Sequence, residues 1–340
     1  MRDMVEIRRL NTVRGLAALI VLVSHYTNAT GWLGGYFGSG AGTIGVMLFF
    51  VLSGFLMAFL YLHAPFSRSA AYRFLVARVA RVIPLYIVVV LFAFAAARTG
   101  MGDPFHLGSI KWLLIHLLFI DGRSVLWTIP PECHFYVLFT VFWMAWFQRP
   151  RIAAVIAIAV VVVIVAMPGD AVVELKIFDA KPDLMIFRSL PYFMVGLCLG
   201  ALYRQRQNFG VGGHWCALAL LAIPLLFPMV SESLLGWENA GWRDVRVLCA
   251  VAVIMALIIF GVPNGNRALE NVVGDYLGKV SYSLYLLHIP VLRAMEPIIK
   301  AHPYIGFVGF LVAVLLVSEV SFRVVEAPAR RYLRQRFRGQ

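Results

Sequence analysis

Residues 154–167 read AVIAIAVVVVIVAM, fourteen positions in a row without a polar side chain. Such a run is at home in only two places, a protein core or lipid, and comparable runs recur from residue 12 to residue 325. A bilayer core of about 30 Å is crossed by roughly 20 apolar residues as an α-helix, which satisfies its backbone hydrogen bonds internally. Ten spans are predicted on this basis, near residues 12–30, 43–62, 82–98, 127–147, 152–168, 188–204, 214–231, 245–262, 280–298 and 304–325. Composition agrees: 61% of the 340 residues are hydrophobic and 14% charged, against roughly 25% charged in soluble domains. The expected fold is an all-α polytopic membrane protein forming a single domain over residues 1–340.

A net charge of +13 invites a nucleic-acid reading, but the placement of the charges points elsewhere. Under the ten-span reading the termini and even-numbered loops (1–14, 63–81, 149–151, 204–206, 264–279, 323–340) hold 20 Lys/Arg and 5 Asp/Glu; the rest hold 10 and 12. That asymmetry is the positive-inside bias, so both termini are expected in the cytoplasm. The basic tail, residues 329–340, reads as a juxtamembrane segment facing anionic headgroups, and nucleic acid is not expected as a partner. A basic start followed by an apolar core also resembles a cleaved signal peptide; a retained first helix is preferred because it keeps the span count even. Cys133, Cys198, Cys216 and Cys249 show no CxxC pairing, and the last three, inside predicted spans, are expected as small core residues. No metal site is expected.

Ionisable groups inside the spans carry the functional signal, since each costs about 2.5–3.5 kcal/mol on insertion scales. Arg14 and His25 lie eleven positions apart in RGLAALIVLVSH. At about 100° per residue they share one helical face, about 16 Å apart along the axis. That puts Arg14 near the cytoplasmic surface and His25 near mid-membrane, where a neutral imidazole offers one donor and one acceptor for proton transfer. Arg14 alone is equally consistent with snorkelling to headgroups. In RVARVIPLY, Arg78 and Arg81 are i and i+3 at the cytoplasmic entry to the third span. They read either as flanking charge or as a phosphate clamp, because paired guanidiniums bind phosphate oxygens bidentately. In WTIPPECHFY, Pro130 and Pro131 suit a first helical turn, with Glu132 about one and a half turns below the outer interface and in want of a cationic partner. Trp127 alone fits an ordinary interfacial belt. In SYSLYLLHIP, Ser281, Tyr285 and His288 form an i, i+4, i+7 stripe, a packing stripe or a binding face, with Pro290 expected to kink the helix. Glu319 and Glu326 are further candidates, the latter as an ion-pair partner or cap.

These motifs occur in one order: Arg14 and His25, FFVLSGF (Phe49–Phe55), Arg78 and Arg81 before Pro84, Trp127…Glu132…Phe135-Tyr136, SYSLYLLHIP, and Glu326-Ala327-Pro328. Together, over a core of about residues 8–330, they resemble the acyltransferase-3 family of membrane O-acyltransferases. PPECH departs from the residues expected around that carboxylate. The family includes bacterial enzymes that acetylate lipopolysaccharide O-antigens, exopolysaccharides and nodulation factors. The resemblance implies acetyl-CoA or another acyl-CoA as a cytoplasmic co-substrate, with no permanently bound cofactor, a carbohydrate hydroxyl as acceptor, and residence in a bacterial inner membrane. It further implies that the Arg14/His25 pair is required and that Arg78 and Arg81 serve the donor. With no appended hydrolase-like domain in view, transfer is expected from the membrane core itself.

Acyl transfer from a thioester to an alcohol needs a base and oxyanion donors. His25 is assigned as the base, Glu132 as its orienter, and Arg14, Arg78 and Arg81 as holders of the phosphates or pantetheine of coenzyme A. Trp127, Tyr136, Ser281, Tyr285 and His288 are weaker candidates for acceptor or oxyanion contact. The competing reading is a transporter or flippase for a glycan or acyl intermediate, which would also place polar groups at mid-membrane. Nothing in the sequence fixes the oligomeric state.

Overall fold

The computed structural model describes residues 7–166, 185–205 and 212–337. Residues 1–6 and 338–340 of the basic ends, Arg206 of the 204–206 loop, and the last two positions of the predicted 152–168 span lie outside the described residues. Among the described residues there are thirteen α-helices and no strand. The first six are α1 (Arg9–Thr30), α2 (Ala41–Met57), α3 (Arg68–Thr99), α4 (Ile110–Leu117), α5 (Ile129–Gln148) and α6 (Pro150–Ala166). Then come α7 (Ile186–Gln205), α8 (Pro228–Leu235), α9 (Val245–Ala256), α10 (Val272–Ala294), α11 (Glu296–Ala301), α12 (Pro303–Ser321) and α13 (Ala327–Arg336).

Over their described residues the ten predicted spans fall mostly on helical chain, but they do not all look alike. Among the described residues five helical segments are long and apolar enough to cross a membrane, or six if one bent pair is a single span: Ala41–Leu62, Arg68–Thr99, Ser124–Gln148, Ile186–Gln205 and Pro303–Arg336. The stretch predicted at 214–231 is instead a 3-10 segment, His214–Leu226, followed by α8 at a bend of 93°. The cause is local. Phe227 is extended (φ −70°, ψ 134°) because it precedes Pro228, whose ring disfavours helical geometry in the residue before it. Two further stretches, Pro150–Ala166 and Val245–Gly261, are apolar but shorter. The run that opened the sequence reading is thus one of the short helices over its described part. α1 and α10, 22 and 23 residues long, interrupt their apolar runs with charged and polar side chains.

The chain divides into two compact units. Unit 1 comprises residues 1–60, 192–285 and 296–308. Its helices approach at glycine, the device that lets membrane helices pack without a hydrophobic drive between them. A Cβ on Gly45 of α2 would lie 2.5 Å from the Ala17 carbonyl oxygen of α1, and one on Gly278 of α10 would lie 2.5 Å from the Asn11 carbonyl oxygen. The N-terminal end of α1 is fastened by polar contacts. Arg9, 2% exposed, donates to Asn264 Oδ1 (2.9 Å), Tyr203 Oη (3.1 Å) and the Ile259 carbonyl (2.8 Å), and Glu270 lies 3.5 Å away. Arg8 and Asn11 both donate to Asp275.

Unit 2 comprises residues 61–191, 286–295 and 309–340. At its centre the Phe74 ring of α3 sits 5.2 Å from Phe139 and 6.5 Å from Trp143 of α5, and 4.9 Å from Tyr61. Trp143 donates its indole N–H to the Ala64 carbonyl at 3.0 Å. α13 packs along α3, and Phe337 meets Tyr72 at a ring separation of 6.1 Å. Of the cysteines only Cys216 is core; Cys198 and Cys249 lie on the outer surface, contrary to expectation, because their helices turn those faces outward.

Candidate functional site

In unit 1, α1 runs without interruption from Arg9 to Thr30, so Arg14 and His25 stand on one helix with the separation of about 16 Å that its rise gives. Both are half-buried. His25 Nδ1 lies 2.9 Å from the Val21 carbonyl one turn back. A carbonyl can only accept, so this bond puts a proton on Nδ1; in the neutral ring that leaves Nε2 as the nitrogen with the lone pair. On α10, Ser281 is 2% and Tyr285 5% exposed. Ser281 donates to the Gly278 carbonyl at 2.9 Å, a local back-bond that uses its proton structurally. Tyr285 meets Phe49, the first residue of FFVLSGF, edge-on at 5.9 Å.

In unit 2, His288 is fully buried on the unit 2 part of α10, and the helix continues through Pro290. Pro130 and Pro131 occupy the first turn of α5 with Glu132 beside them, as expected, and Trp127 is half-buried in the 3-10 turn Ser124–Thr128 that precedes it. Glu132 accepts the Tyr136 hydroxyl at 2.7 Å, one turn along the same helix.

The arginine pair is where the structure departs most from the sequence reading. Arg78 and Arg81 are not at a helix end. They lie within the 32-residue α3, and Arg78 is only 8% exposed. The ring contacts fix their level: Phe74 is opposite Phe139, and also meets Tyr136 at 6.3 Å. The arginines, one and two turns further along α3, therefore stand beside the first turns of α5, where Glu132 and Tyr136 lie. The charges of Glu132, Arg78 and Arg81 all act on the Tyr136 phenol, so the carboxylate and the guanidiniums, placed by sequence at opposite faces of the membrane, form one electrostatic group. Arg78 lies over two aromatic faces, 5.8 Å from the Tyr61 centroid and 5.6 Å from that of Phe74, contacts that offset part of the cost of burying a cation. Its Nε is buried without a hydrogen-bond partner.

Near the end of the chain Glu326 is 2% exposed and pairs with Arg330 at 3.4 Å; Glu319 pairs with Arg323. Sequence reasoning missed three participants: the buried Arg9, the ring partners of Arg78, and Arg330. Only the last left a local signal, its i, i+4 spacing from Glu326.

Comparison with known proteins places the sequence in a family. Residues 7–322 match the family described as an acyltransferase domain. The chain is 22% identical to peptidoglycan O-acetyltransferase OatA of Listeria monocytogenes, covering 94% of this chain and 56% of that protein. It is 26% identical to putative peptidoglycan O-acetyltransferase YrhL of Bacillus subtilis, covering 94% of this chain and 54% of that one. The chain thus spans little more than half the length of these curated relatives, and no solved structure matches it. With its apolar helices, ordered motifs and a family match from residue 7 to residue 322, the chain belongs to the acyltransferase-3 family of integral membrane proteins.

Proposed function

We propose that the protein is a membrane O-acyltransferase that moves an acyl group, acetyl as the simplest case, from acyl-CoA in the cytoplasm to a hydroxyl of a cell-surface or exported carbohydrate. Ten membrane crossings, both termini in the cytoplasm and residence in a bacterial inner membrane complete the proposal; the support is the charge asymmetry of the loops. The relatives' names support acetyl transfer to a glycan such as peptidoglycan. The observation that carries the chemistry is the His25 Nδ1 contact with the Val21 carbonyl, because a base must present an unprotonated nitrogen.

The acceptor hydroxyl gives its proton to His25 Nε2 as its oxygen attacks the thioester carbonyl carbon. The tetrahedral oxyanion collapses, the C–S bond breaks, and the imidazolium returns the proton to the departing thiolate. A positioned base of this kind contributes about 10²–10⁴-fold. Arg78 and Arg81 hold donor phosphates, and Arg14 holds the phosphates or the pantetheine arm. Glu132 retains its proposed part as orienter of His25, and the Glu132–Tyr136 bond gives that carboxylate a fixed direction. Trp127, Tyr136, Ser281, Tyr285 and His288 are proposed as contacts to the acceptor or the oxyanion.

The test is incorporation of labelled acetyl from acetyl-CoA into glycan by the full chain in membranes. His25→Ala is expected to abolish it while the protein still inserts and purifies as a single species; an active variant removes His25 from the mechanism. One observation favours the transporter alternative, the 93° break before α8, since broken helices line transport sites. Movement of labelled glycan across vesicles with no acetyl incorporation would decide for it.

A further inference from the structure

The C-terminal helix carries more arginine than headgroup contact requires, and it is aimed at a particular place. α13 runs back along α3: Phe337 meets Tyr72, and seven residues earlier Arg330 comes under the charges of Arg78 and Arg81, six and nine residues beyond Tyr72. The two helices thus pass in opposite directions with matched steps. Arg334, one turn from Arg330, acts on the same group. Four guanidiniums are gathered with Glu326 as the nearby carboxylate, which pairs with Arg330 at 3.4 Å. Arg78 and Arg330 each keep a buried Nε without a hydrogen-bond partner, and Arg78 is more than nine-tenths buried.

Like charges so placed repel, and buried donors left without a partner are costly. A dianionic phosphate relieves both at once, as guanidinium forks match its oxygens. Arg331 and Arg336 are exposed, as Arg334 is, but only Arg334 stands one helical turn from Arg330; the other two supply the ordinary basic surface.

We propose that Arg330 and Arg334 of α13 join Arg78 and Arg81 in one binding site for a phosphate-bearing ligand, and that α13 holds the terminal phosphomonoester of coenzyme A. This rests on the donor assigned above and deepens it: α3 takes the pyrophosphate, α13 the 3′-phosphate of the ribose. Glu326 is a positioning residue, holding Arg330 toward α3. The chemistry would also suit the phosphate of an anionic lipid headgroup, so the experiment separates the two sources.

The experiment measures binding of coenzyme A and of 3′-dephospho-coenzyme A to the full chain in detergent, by calorimetry, for wild type, Arg330→Ala with Arg334→Ala, and Arg331→Ala with Arg336→Ala. The first double variant is expected to lose coenzyme A affinity by about 10- to 100-fold, the span of one or two charge-assisted bonds. It should show no loss toward the dephospho compound, which wild type already binds more weakly. The second double variant is expected to match wild type. Equal losses toward both ligands would take the 3′-phosphate away from α13. Unchanged coenzyme A affinity, with weakened binding to vesicles containing phosphatidylglycerol, would assign the cluster to lipid and overturn the proposal. Should wild type bind no coenzyme A at all, the donor reading fails and this inference with it, an outcome distinct from the others. Arg330→Lys with Arg334→Lys guards against misfolding: it should bind more tightly than the alanine pair, and equal loss in both would also overturn the assignment.

Discussion

Gly54, the glycine of FFVLSGF, offers a sharp test of the unit 1 packing because what faces it is backbone. A Cβ at that position would lie 2.0 Å from the Phe193 carbonyl oxygen of α7, 2.9 Å from its carbon and 3.0 Å from the Leu197 nitrogen. The approach is reciprocal: a Cβ on Gly196 would lie 1.9 Å from the Val51 oxygen, and one on Gly200 2.3 Å from the Phe55 oxygen. For Gly54→Ala, the oxygen must retreat from 2.0 Å to the 3.4 Å of an ordinary contact, about 1.4 Å, where overpacking costs about 1–3 kcal/mol and occasionally more. No side chain can rotate away, and two helices must part along a shared seam, so the upper end is expected. At roughly 2–4 °C per kcal/mol for a chain of 150–250 residues, the thermal midpoint should fall by about 6–12 °C, a figure carried over to this somewhat longer chain. The assay is retention of the monodisperse peak after heating in detergent. Gly309→Ala is the control: its Cβ would meet only the flexible Met295 terminus at 3.6 Å, and helix interiors favour Ala over Gly by roughly 0.5–1 kcal/mol. If Gly54→Ala melts with wild type, α2 and α7 do not meet as described.

The remaining predictions concern charge. Arg78→Ala with Arg81→Ala should raise the KM for acyl-CoA by about tenfold or more while leaving the protein folded; an unchanged KM would end the clamp assignment. His116 lies on α4, outside the candidate spans, and is fully buried. Burial, opposed by its bond to the Trp112 carbonyl and aided by the Arg123 charge, lowers its pKa from 6.5 to about 4. The folded pKa is depressed, so the unfolded chain takes up the proton first: stability is intact above pH 6.5 and declines as pH falls toward 4, by up to about 3 kcal/mol. Melting curves between pH 7.5 and 5 should therefore slope more steeply for wild type than for His116→Gln, whose amide can still accept from the Arg123 N–H and donate to Trp112; parallel curves would contradict the assignment.

What the sequence made legible was what a single helix decides alone. Arg14 and His25 share a helix because eleven residues close three turns, and Pro130 and Pro131 sit in a first turn because neither can donate there. The break at Phe227 was also within reach, since the residue before a proline resists helix; its apolar neighbours hid it, because hydropathy counts side chains and ignores backbone donors. The level of Arg78 was not legible. Hydropathy places a charge at the edge of the apolar run it abuts, yet the offset of α3 against α5 is set by the Phe74 ring lodging beside Phe139 and Trp143, partners some 65 and 69 residues away in sequence. Once that offset is fixed, the surroundings of a buried guanidinium are set by whatever else arrives at the same level. Glu132 and Tyr136 come from α5, and Glu326 with the like-charged Arg330 from α13, and none has a sequence separation from Arg78 that a periodicity argument could find. The arginine pair is therefore more demanding of its surroundings than flanking charge would be. A buried cation that lies over the Tyr61 and Phe74 rings and still keeps an unbonded Nε has a donor to spare, which the phosphate of the proposed ligand would take up.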